Sequence, residues 1–389
     1  MQLPILAFIL YALMLPVTGM VPVLEGLTAG RYPGLSEFDR HLFMSANMFG
    51  ALLSVPLVGL LSDVLRRRRP LILAALALNT LTLYALTLDW TYGVYLGWRF
   101  LEGCAHISAL TLLMTLGADH ARAGGLGGAM GLLGASVTLG VASGAPLGGW
   151  IGGEDPLSVP RLGGGLMLAL TVMAALLVRD PPHLERREEG HNPLGSLLRN
   201  HRLLVPYAFA FADRLTVGFI VSTMSLYLSG VLGMSPARIG LVMAAFLIPF
   251  SLLTYPAGLL SKRWNAYSMM LTGSFLYGVV LMLLGFASPL VIVWLMAAGG
   301  VVAALMYAPS LILTARLAGP AHKAGAMSGF HFAGSLGFAL GPLLGGALVS
   351  LFAAMGANPH PPTFVAVGSI EVLCVLAFFP VIRRRWRAG

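Results

Sequence analysis

Twelve apolar segments of bilayer length set the strongest constraint on how this chain can fold. They lie near 3–24, 41–62, 70–89, 92–117, 124–151, 161–178, 203–229, 235–260, 265–286, 289–315, 324–354 and 363–382. A membrane-spanning helix needs about 20 mainly apolar residues, because the hydrocarbon core offers no partner to free backbone groups. Only 10% of the 389 residues are charged. We therefore predict an all-α membrane protein with twelve transmembrane helices.

The positions of the basic residues predict how the chain is oriented in the membrane. If both termini are cytoplasmic, 18 of the 24 Lys and Arg residues fall in inner loops or the carboxyl-terminal tail. Basic residues concentrate on the cytoplasmic side of membrane proteins. We therefore expect a multi-pass protein of the cell (inner) membrane with cytoplasmic termini. Because the basic residues follow the ends of apolar segments, the net charge of +9 does not indicate a nucleic-acid partner.

The second half of the chain repeats the first. Four glycines recur at a constant offset of 197: Gly140, Gly144, Gly148 and Gly149 correspond to Gly337, Gly341, Gly345 and Gly346. The sequence Gly-Leu-Leu-Ser at 59–62 also recurs at 258–261. Internal duplication of a six-helix unit explains both repeats. We expect six-helix bundles over 1–178 and 203–389, joined by a cytoplasmic linker over 179–202.

Three ionisable residues lie within the fourth apolar segment. At 100° per residue, Glu102 lies about 60° from Arg99 and His106 about 20° from it, so the three share one helix face. Placing one ionisable side chain near the bilayer centre costs roughly 2.5–3.5 kcal/mol of insertion free energy, so such side chains normally face a cavity or one another. This row indicates a functional site, in which Glu102 is the candidate for proton coupling and Arg99 is the fixed charge that tunes it. The alternatives are a static ion pair between Arg99 and Glu102 and a packing role for His106.

Residues 59–70 read Gly-Leu-Leu-Ser-Asp-Val-Leu-Arg-Arg-Arg-Arg-Pro. This loop resembles the signature between helices 2 and 3 of the major facilitator superfamily, although Val64 and Arg66 replace the expected Arg and Gly. The resemblance implies a fold of two pseudo-symmetric six-helix bundles and a cytoplasmic latch formed by Asp63 with Arg67 or Arg68. A basic run at this position also anchors anionic lipid and sets topology.

Two further segments resemble signatures of the same superfamily. Arg99-Phe-Leu-Glu-Gly103 is similar to the helix 4 pattern Arg-x-x-Gln-Gly, which implies a role for Arg99 in proton transfer. The segment 140–149 resembles the helix 5 pattern associated with antiporters. Close helix packing is the alternative explanation, because small residues four apart let backbones touch. The packing residues are Gly140, Gly144, Pro146 and Gly148, with Gly341, Pro342 and Gly345 in the second half.

Helix 7 contributes a second acidic candidate, Asp213, about ten residues or roughly 15 Å from the helix end. In the superfamily, helices 1, 4, 7 and 10 line the cavity, so the resemblance makes Asp213 a protonation or cation site. Arg214 points about 100° away and is expected to pair laterally or through helix 10 or 11, whereas Glu371, in a peripheral helix, is expected to be protonated or locally paired. The residues expected at the substrate cavity are His106, Tyr11, Thr18, Arg214 and Tyr307.

The resemblance covers the whole chain and implies a secondary transporter rather than an enzyme. The leading hypothesis is a monomeric, proton-coupled antiporter that exports an amphipathic or cationic organic molecule by alternating access. We expect no cofactor and no bound metal, since the sequence lacks a phosphate-binding loop and an HExxH motif. The first alternative keeps the fold but moves a metal ion, lysolipid, sugar or other metabolite as a uniporter or symporter. A non-transporting membrane sensor or scaffold is a second alternative, and a membrane-embedded enzyme is a weaker third.

Overall fold

The computed structural model describes residues 2–65, 67–120, 126–181, 200–261, 263–318, 323–356 and 358–386. Twelve long helices are assigned within these ranges. They are α1 Gln2–Gly19, α2 Glu37–Leu65, α3 Arg69–Ala85, α4 Tyr92–Asp119, α5 Leu126–Ile151, α6 Ser158–Leu177, α7 Leu204–Phe219, α8 Pro236–Leu260, α9 Ala266–Leu284, α10 Pro289–Ala318, α11 Lys323–Ala354 and α12 His360–Trp386.

This architecture confirms the predicted all-α membrane fold. Eleven of the segments in the described ranges are long and apolar enough to cross a membrane, and α3 is a shorter apolar helix. The predicted and observed bounds differ by a few residues at most ends. The largest differences lie in α1, which ends at Gly19 rather than near 24, and in α7, which continues as π-helical turns at Ile220–Met224 and Tyr227–Val231.

Local sequence explains where several helices begin and end. The Asn265 side chain accepts a hydrogen bond from the backbone N–H of Tyr267 and caps the start of α9. Pro70 lies in the first turn of α3, where its missing N–H leaves no hydrogen bond unmade. Gly233, with φ of +60°, follows the last turn of α7, and that backbone conformation favours glycine.

The described helices belong to two compact units. The first unit comprises Met1–Leu35, Leu42–Glu188 and Leu228–Ala244, and the second comprises Ser36–His41, Glu189–Tyr227 and Ala245–Gly389. The sequence-based boundaries at 178 and 203 stay a prediction. Most of the predicted linker, residues 182–199, lies outside the described residues.

Within the first unit, α1 packs closely against α5, and α3 packs against α4 and α6. Glycines make the first of these contacts possible. A side chain at Gly148 would overlap the backbone of Gly19, and one at Gly140 would overlap the carbonyl of Tyr11. The glycines of α5 therefore bring the two backbones together, as the small-residue spacing predicts.

Within the second unit, α7 packs against α11, and α9 packs against α10 and α12. The α7–α11 contact has the same construction as the α1–α5 contact. A side chain at Gly341 would overlap the carbonyl of Leu215, and one at Gly337 would overlap that of Phe211. The duplicated glycines thus support equivalent helix contacts in the two halves of the chain.

Candidate functional site

A buried ion pair lies at the centre of α4 in the first unit. Arg99 donates a hydrogen bond of 2.6 Å from Nη1 to Oε2 of Glu102. The two side chains are 0% and 1% exposed. Arg99 also lies over the ring of Phe43 in α2, with its guanidinium carbon 4.7 Å from the ring centre. This cation–π contact adds to the ion pair in compensating the buried guanidinium.

A close contact between α2 and α4 completes the surroundings of Glu102. The amide of Asn47 in α2 donates a hydrogen bond to Oε2 of Glu102. A side chain at Gly103 would overlap the backbone of Asn47, so this glycine allows the approach that makes the hydrogen bond possible. His106, one turn further along α4, is also buried. The sequence predicts Arg99, Glu102 and His106 on one face of α4. The structure adds Asn47 of α2 as a hydrogen-bond donor to Glu102.

Two further residues expected at the substrate cavity lie in α1 of the first unit. The hydroxyl of Tyr11 accepts a hydrogen bond of 3.3 Å from Ser143 in α5. Thr18 donates to the carbonyl of Met14 one turn earlier, and its side chain occupies the space left by Gly144. Both residues therefore contact α5, and their role in substrate binding stays a prediction.

A cavity of about 160 Å³ lies within the second unit. Three of the expected site residues line it, namely Asp213 and Arg214 from α7 and Tyr307 from α10. The guanidinium carbon of Arg214 lies 4.7 Å from the centre of the Tyr307 ring. The remaining lining residues are Ala210, Phe330, His331, Gly334, Ser335 and Phe338. The cavity therefore combines one acidic group, one permanently cationic group and several aromatic rings.

Asp213 has unusual surroundings for a carboxyl group. It is 3% exposed, and neither of its oxygens receives a hydrogen bond from a described residue. Glu371 of α12 lies close enough to interact directly with it. Unlike Asp213, Glu371 accepts hydrogen bonds from the hydroxyls of Thr216 and Ser274. The sequence indicated Glu371 as a protonated or locally paired residue, and its proximity to Asp213 is a finding of the structure.

The predicted cytoplasmic latch contains an ion pair that the sequence did not indicate. Arg68 pairs through Nε with Asp119 at the end of α4 and donates from Nη1 to the hydroxyl of Ser62. Arg67 is exposed. The side chain of Asp63 lies outside the described residues. In the described part of the chain, the acidic partner of the Arg68 side chain is therefore Asp119, which the loop signature does not include, while the backbone N–H of Arg68 donates to Asp180.

No group of three or more His, Cys, Asp or Glu side chains in the described part of the chain is placed to hold a metal ion. Cys104 and Cys374 are free thiols. The polar partners that sequence reasoning missed are Asn47, Ser274 and Asp119. Asn47 is the one amide residue in the sequence of α2, which was the available signal, but its partner depends on how α2 packs against α4.

The family model of the Major Facilitator Superfamily matches residues 6–213 and 207–387, which together cover nearly the whole chain. The chain belongs to the Major Facilitator Superfamily. It is thus a multi-pass membrane protein of a family of transporters that handle small-molecule substrates, and this family consists typically of non-enzymatic carriers. The resemblance stated from the sequence motifs is confirmed at the level of the family.

An uncharacterised transporter of this family from Methanocaldococcus jannaschii is 28% identical over 162 residues. That match covers 41% of this chain and 41% of the relative, so the chain spans about two fifths of that relative's length. Two solved structures have the same fold over almost the full length. A variant of the nucleoside transporter NupG has a TM-score of 0.83 at 14% identity, covering 97% of this chain and 98% of its own.

The second solved structure is a bacterial homologue of the human lysosomal transporter Spinster, in an inward-facing and unoccupied conformation. It has a TM-score of 0.83 at 15% identity, and the match covers 98% of this chain and 96% of that one. At these identities the two structures show a shared fold. The substrate and the direction of transport therefore have to be argued from the side chains of this chain.

Proposed function

We propose that this chain is a proton-coupled antiporter that exports an amphipathic or cationic organic molecule. The observation that carries the proposal is the position of Asp213, a buried carboxyl to which no described residue donates a hydrogen bond and which lines a cavity together with aromatic rings. A carboxyl in such a place either holds a proton or faces a cationic group. Because the two states exclude each other, binding of the cargo releases the proton, and binding of a proton releases the cargo.

The Arg99–Glu102 pair is proposed as a second group that responds to protons. A proton on Glu102 removes the negative charge of the pair, and the guanidinium of Arg99 is then left with a neutral hydrogen-bond acceptor, the Phe43 ring and the sulfur atoms of Met20 and Met44. Loss of one partner of a buried ion pair is strongly unfavourable. Protonation of Glu102 therefore favours a rearrangement of α4 against α2, which is a local change of the kind that alternating access requires.

The cavity supports an amphipathic cargo. Phe330, Phe338 and Tyr307 supply apolar and aromatic surface, and Asp213 supplies one negative charge. Small-molecule sites of this composition bind mainly through apolar contact, while a few polar groups fix the orientation of the ligand.

The distribution of basic residues further supports location in the cell membrane with both termini cytoplasmic. We propose that the functional unit is the monomer.

A polar metabolite is the second candidate cargo, moved as a uniporter or symporter. Arg214, His331 and Ser335 also line the cavity, and the guanidinium of Arg214 forms no ion pair with a described residue. A carboxylate, sugar or other hydroxyl-rich ligand would use these donors. The two candidates differ in the charge of the cargo and in the movement of the proton, which runs opposite to the cargo in antiport, with it in symport and not at all in uniport.

The experiment has two steps. Purified protein is first screened by thermal stabilisation against amphipathic cations, lysolipids, sugars, nucleosides and divalent metal ions. A compound that stabilises the protein is then followed in proteoliposomes under an imposed pH gradient, with Glu102→Gln and Asp213→Asn as test variants and the exposed Glu154→Gln as the control. We expect the gradient to drive uptake in the wild type and in the control, and to lose its effect in both test variants. Gradient-driven uptake that persists in both test variants would contradict the proposal.

A further inference from the structure

The carboxyl groups of Asp213 and Glu371 lie next to each other in the second unit, although the two residues are far apart in the sequence. Asp213 lies in α7 and Glu371 in α12, and these two helices pack against each other. The side chains are 3% and 0% exposed. Water therefore provides little solvation for either carboxyl, and their protonation is governed by the groups that surround them.

The hydrogen bonds around the two carboxyls are unequal. Ser274 donates to Oε2 of Glu371, and the Thr216 hydroxyl lies 3.0 Å from Oε1, with the carbonyl oxygens of Asp213 and Ala212 as its other acceptors at 2.8 and 3.1 Å. Each oxygen of Glu371 therefore has a hydroxyl group within hydrogen-bond distance, and these surroundings favour a negative charge on Glu371. Neither oxygen of Asp213 receives a hydrogen bond from any described residue.

Two adjacent carboxylates repel each other strongly where water is excluded, so such a pair holds a proton between them. A protonated carboxyl gains an O–H donor, and a neighbouring carboxylate is the strongest acceptor available for it. In this pair the hydroxyl donors favour the negative charge on Glu371. The proton then lies on Asp213, whose O–H points towards Glu371.

We propose that Asp213 and Glu371 form one proton-binding site, with the proton on Asp213 and Glu371 as its fixed acceptor. The other ionisable or charged groups near the pair are Arg214 from α7, Tyr277 from α9 and Cys374 from α12, with Tyr307 and His331 lining the adjoining cavity. Asp213 lines the cavity, whereas Glu371 does not. The proton therefore enters and leaves from the cavity side, through Asp213.

The arrangement fits a proton better than a small metal cation. A sodium ion in a protein needs several oxygen ligands that direct lone pairs towards it. A proton between the two carboxyls needs only one acceptor besides Asp213, and each oxygen of Glu371 keeps a lone pair for it beside its hydroxyl neighbour. The inference deepens the proposed function, since it rests on proton coupling for its use in transport, but binding of the proton is testable without any cargo.

The experiment is infrared difference spectroscopy of the purified full-length protein between alkaline and acidic buffer. The carbonyl stretch of a protonated carboxyl is separate from the carboxylate bands and reports the strength of its hydrogen bond. We expect a band in the wild type that Asp213→Asn removes and that is separate from the band of Glu102. Glu371→Gln should shift its frequency, because an amide is a weaker acceptor than a carboxylate. The exposed Glu154→Gln is the control and should leave the band unchanged.

A band that is unchanged in Glu371→Gln, or that persists in Asp213→Asn, would overturn the shared site. If Asp213→Asn fails to fold, the frequency shift in Glu371→Gln decides alone. A wild-type band that disappears when potassium chloride is replaced by sodium chloride would overturn the inference in favour of a sodium site. If the bands change as expected but the pH gradient does not drive transport, the shared proton-binding site is supported and proton-coupled antiport is contradicted.

Discussion

The guanidinium of Arg99 donates a 2.6 Å hydrogen bond to the carboxylate of Glu102, and both side chains are almost completely shielded from solvent. An ion pair in this setting is sensitive to the loss of one partner. Removing one member leaves an uncompensated buried charge, which destabilises a protein by about 3–5 kcal/mol. We therefore expect Arg99→Met to unfold at much lower denaturant concentration than the wild type when purified in detergent.

The double variant Arg99→Met with Glu102→Gln separates an ion pair from simple loss of packing. It removes both charges and leaves Asn47 a neutral partner, so we expect it to recover about half or more of the stability lost in Arg99→Met. Destabilisation equal to the sum of the two single variants would show that the two residues contribute independently.

A glycine in α5 provides the second prediction. A Cβ at Gly148 would overlap the backbone of Gly19 in α1, whereas no atom of the described residues lies within 4 Å of a Cβ placed at Gly134 in the same helix. Overpacking typically costs 1–3 kcal/mol, and backbone cannot move aside as a flexible side chain does. We expect Gly148→Ala to lower the melting temperature clearly and Gly134→Ala to leave it unchanged or slightly raised. Equal melting temperatures of the two variants would refute the α1–α5 contact.

The Arg68–Asp119 ion pair provides a third prediction. Arg68 is buried and bonded to both Asp119 and Ser62, whereas the neighbouring Arg67 is exposed. Charge-assisted hydrogen bonds contribute about 1.5–3 kcal/mol, and exposed substitutions usually stay within about 0.5 kcal/mol. We therefore expect Arg68→Ala to destabilise the protein and Arg67→Ala to have little effect. Chemical denaturation of both variants checks this, and a larger loss for Arg67→Ala would reverse the assignment.

The same comparison tests which acidic residue is the partner of Arg68. In a double-mutant cycle with Asp119→Asn, the two substitutions should be strongly non-additive, because each already removes the same ion pair. Additive losses would mean that Arg68 acts through other contacts, such as the one to Ser62.

The helices were predictable from the sequence because each apolar run has the length that the bilayer demands. The end of α1 and the π-helical turns after α7 were not. The apolar run in the first helix continues past Gly19, so hydropathy does not show where the backbone turns. The π-helical turns likewise have no separate signature in an apolar segment, because the pattern of apolar residues stays continuous.

The site was predictable where partners are close in sequence and not where they are distant. Arg99 and Glu102 are three residues apart, so helix geometry alone brings them together. Asp213 and Glu371 meet only because α12 packs on α7. The superfamily resemblance implies a peripheral helix 12, and a peripheral position does not predict contact between Glu371 and Asp213. Asn47 and Asp119 are polar residues whose partners likewise depend on tertiary contacts, which a single sequence does not provide.

The central claim, that transport of cargo is exchanged for protons, is tested most directly by counting protons while cargo moves. Wild-type proteoliposomes containing a pH-sensitive dye are given an outwardly directed gradient of a stabilising compound without any imposed pH gradient. Antiport predicts that protons enter the lumen and acidify it as the compound leaves, and that Asp213→Asn abolishes this signal. Efflux of the compound from wild-type vesicles without acidification, or with loss of luminal protons, would contradict the account.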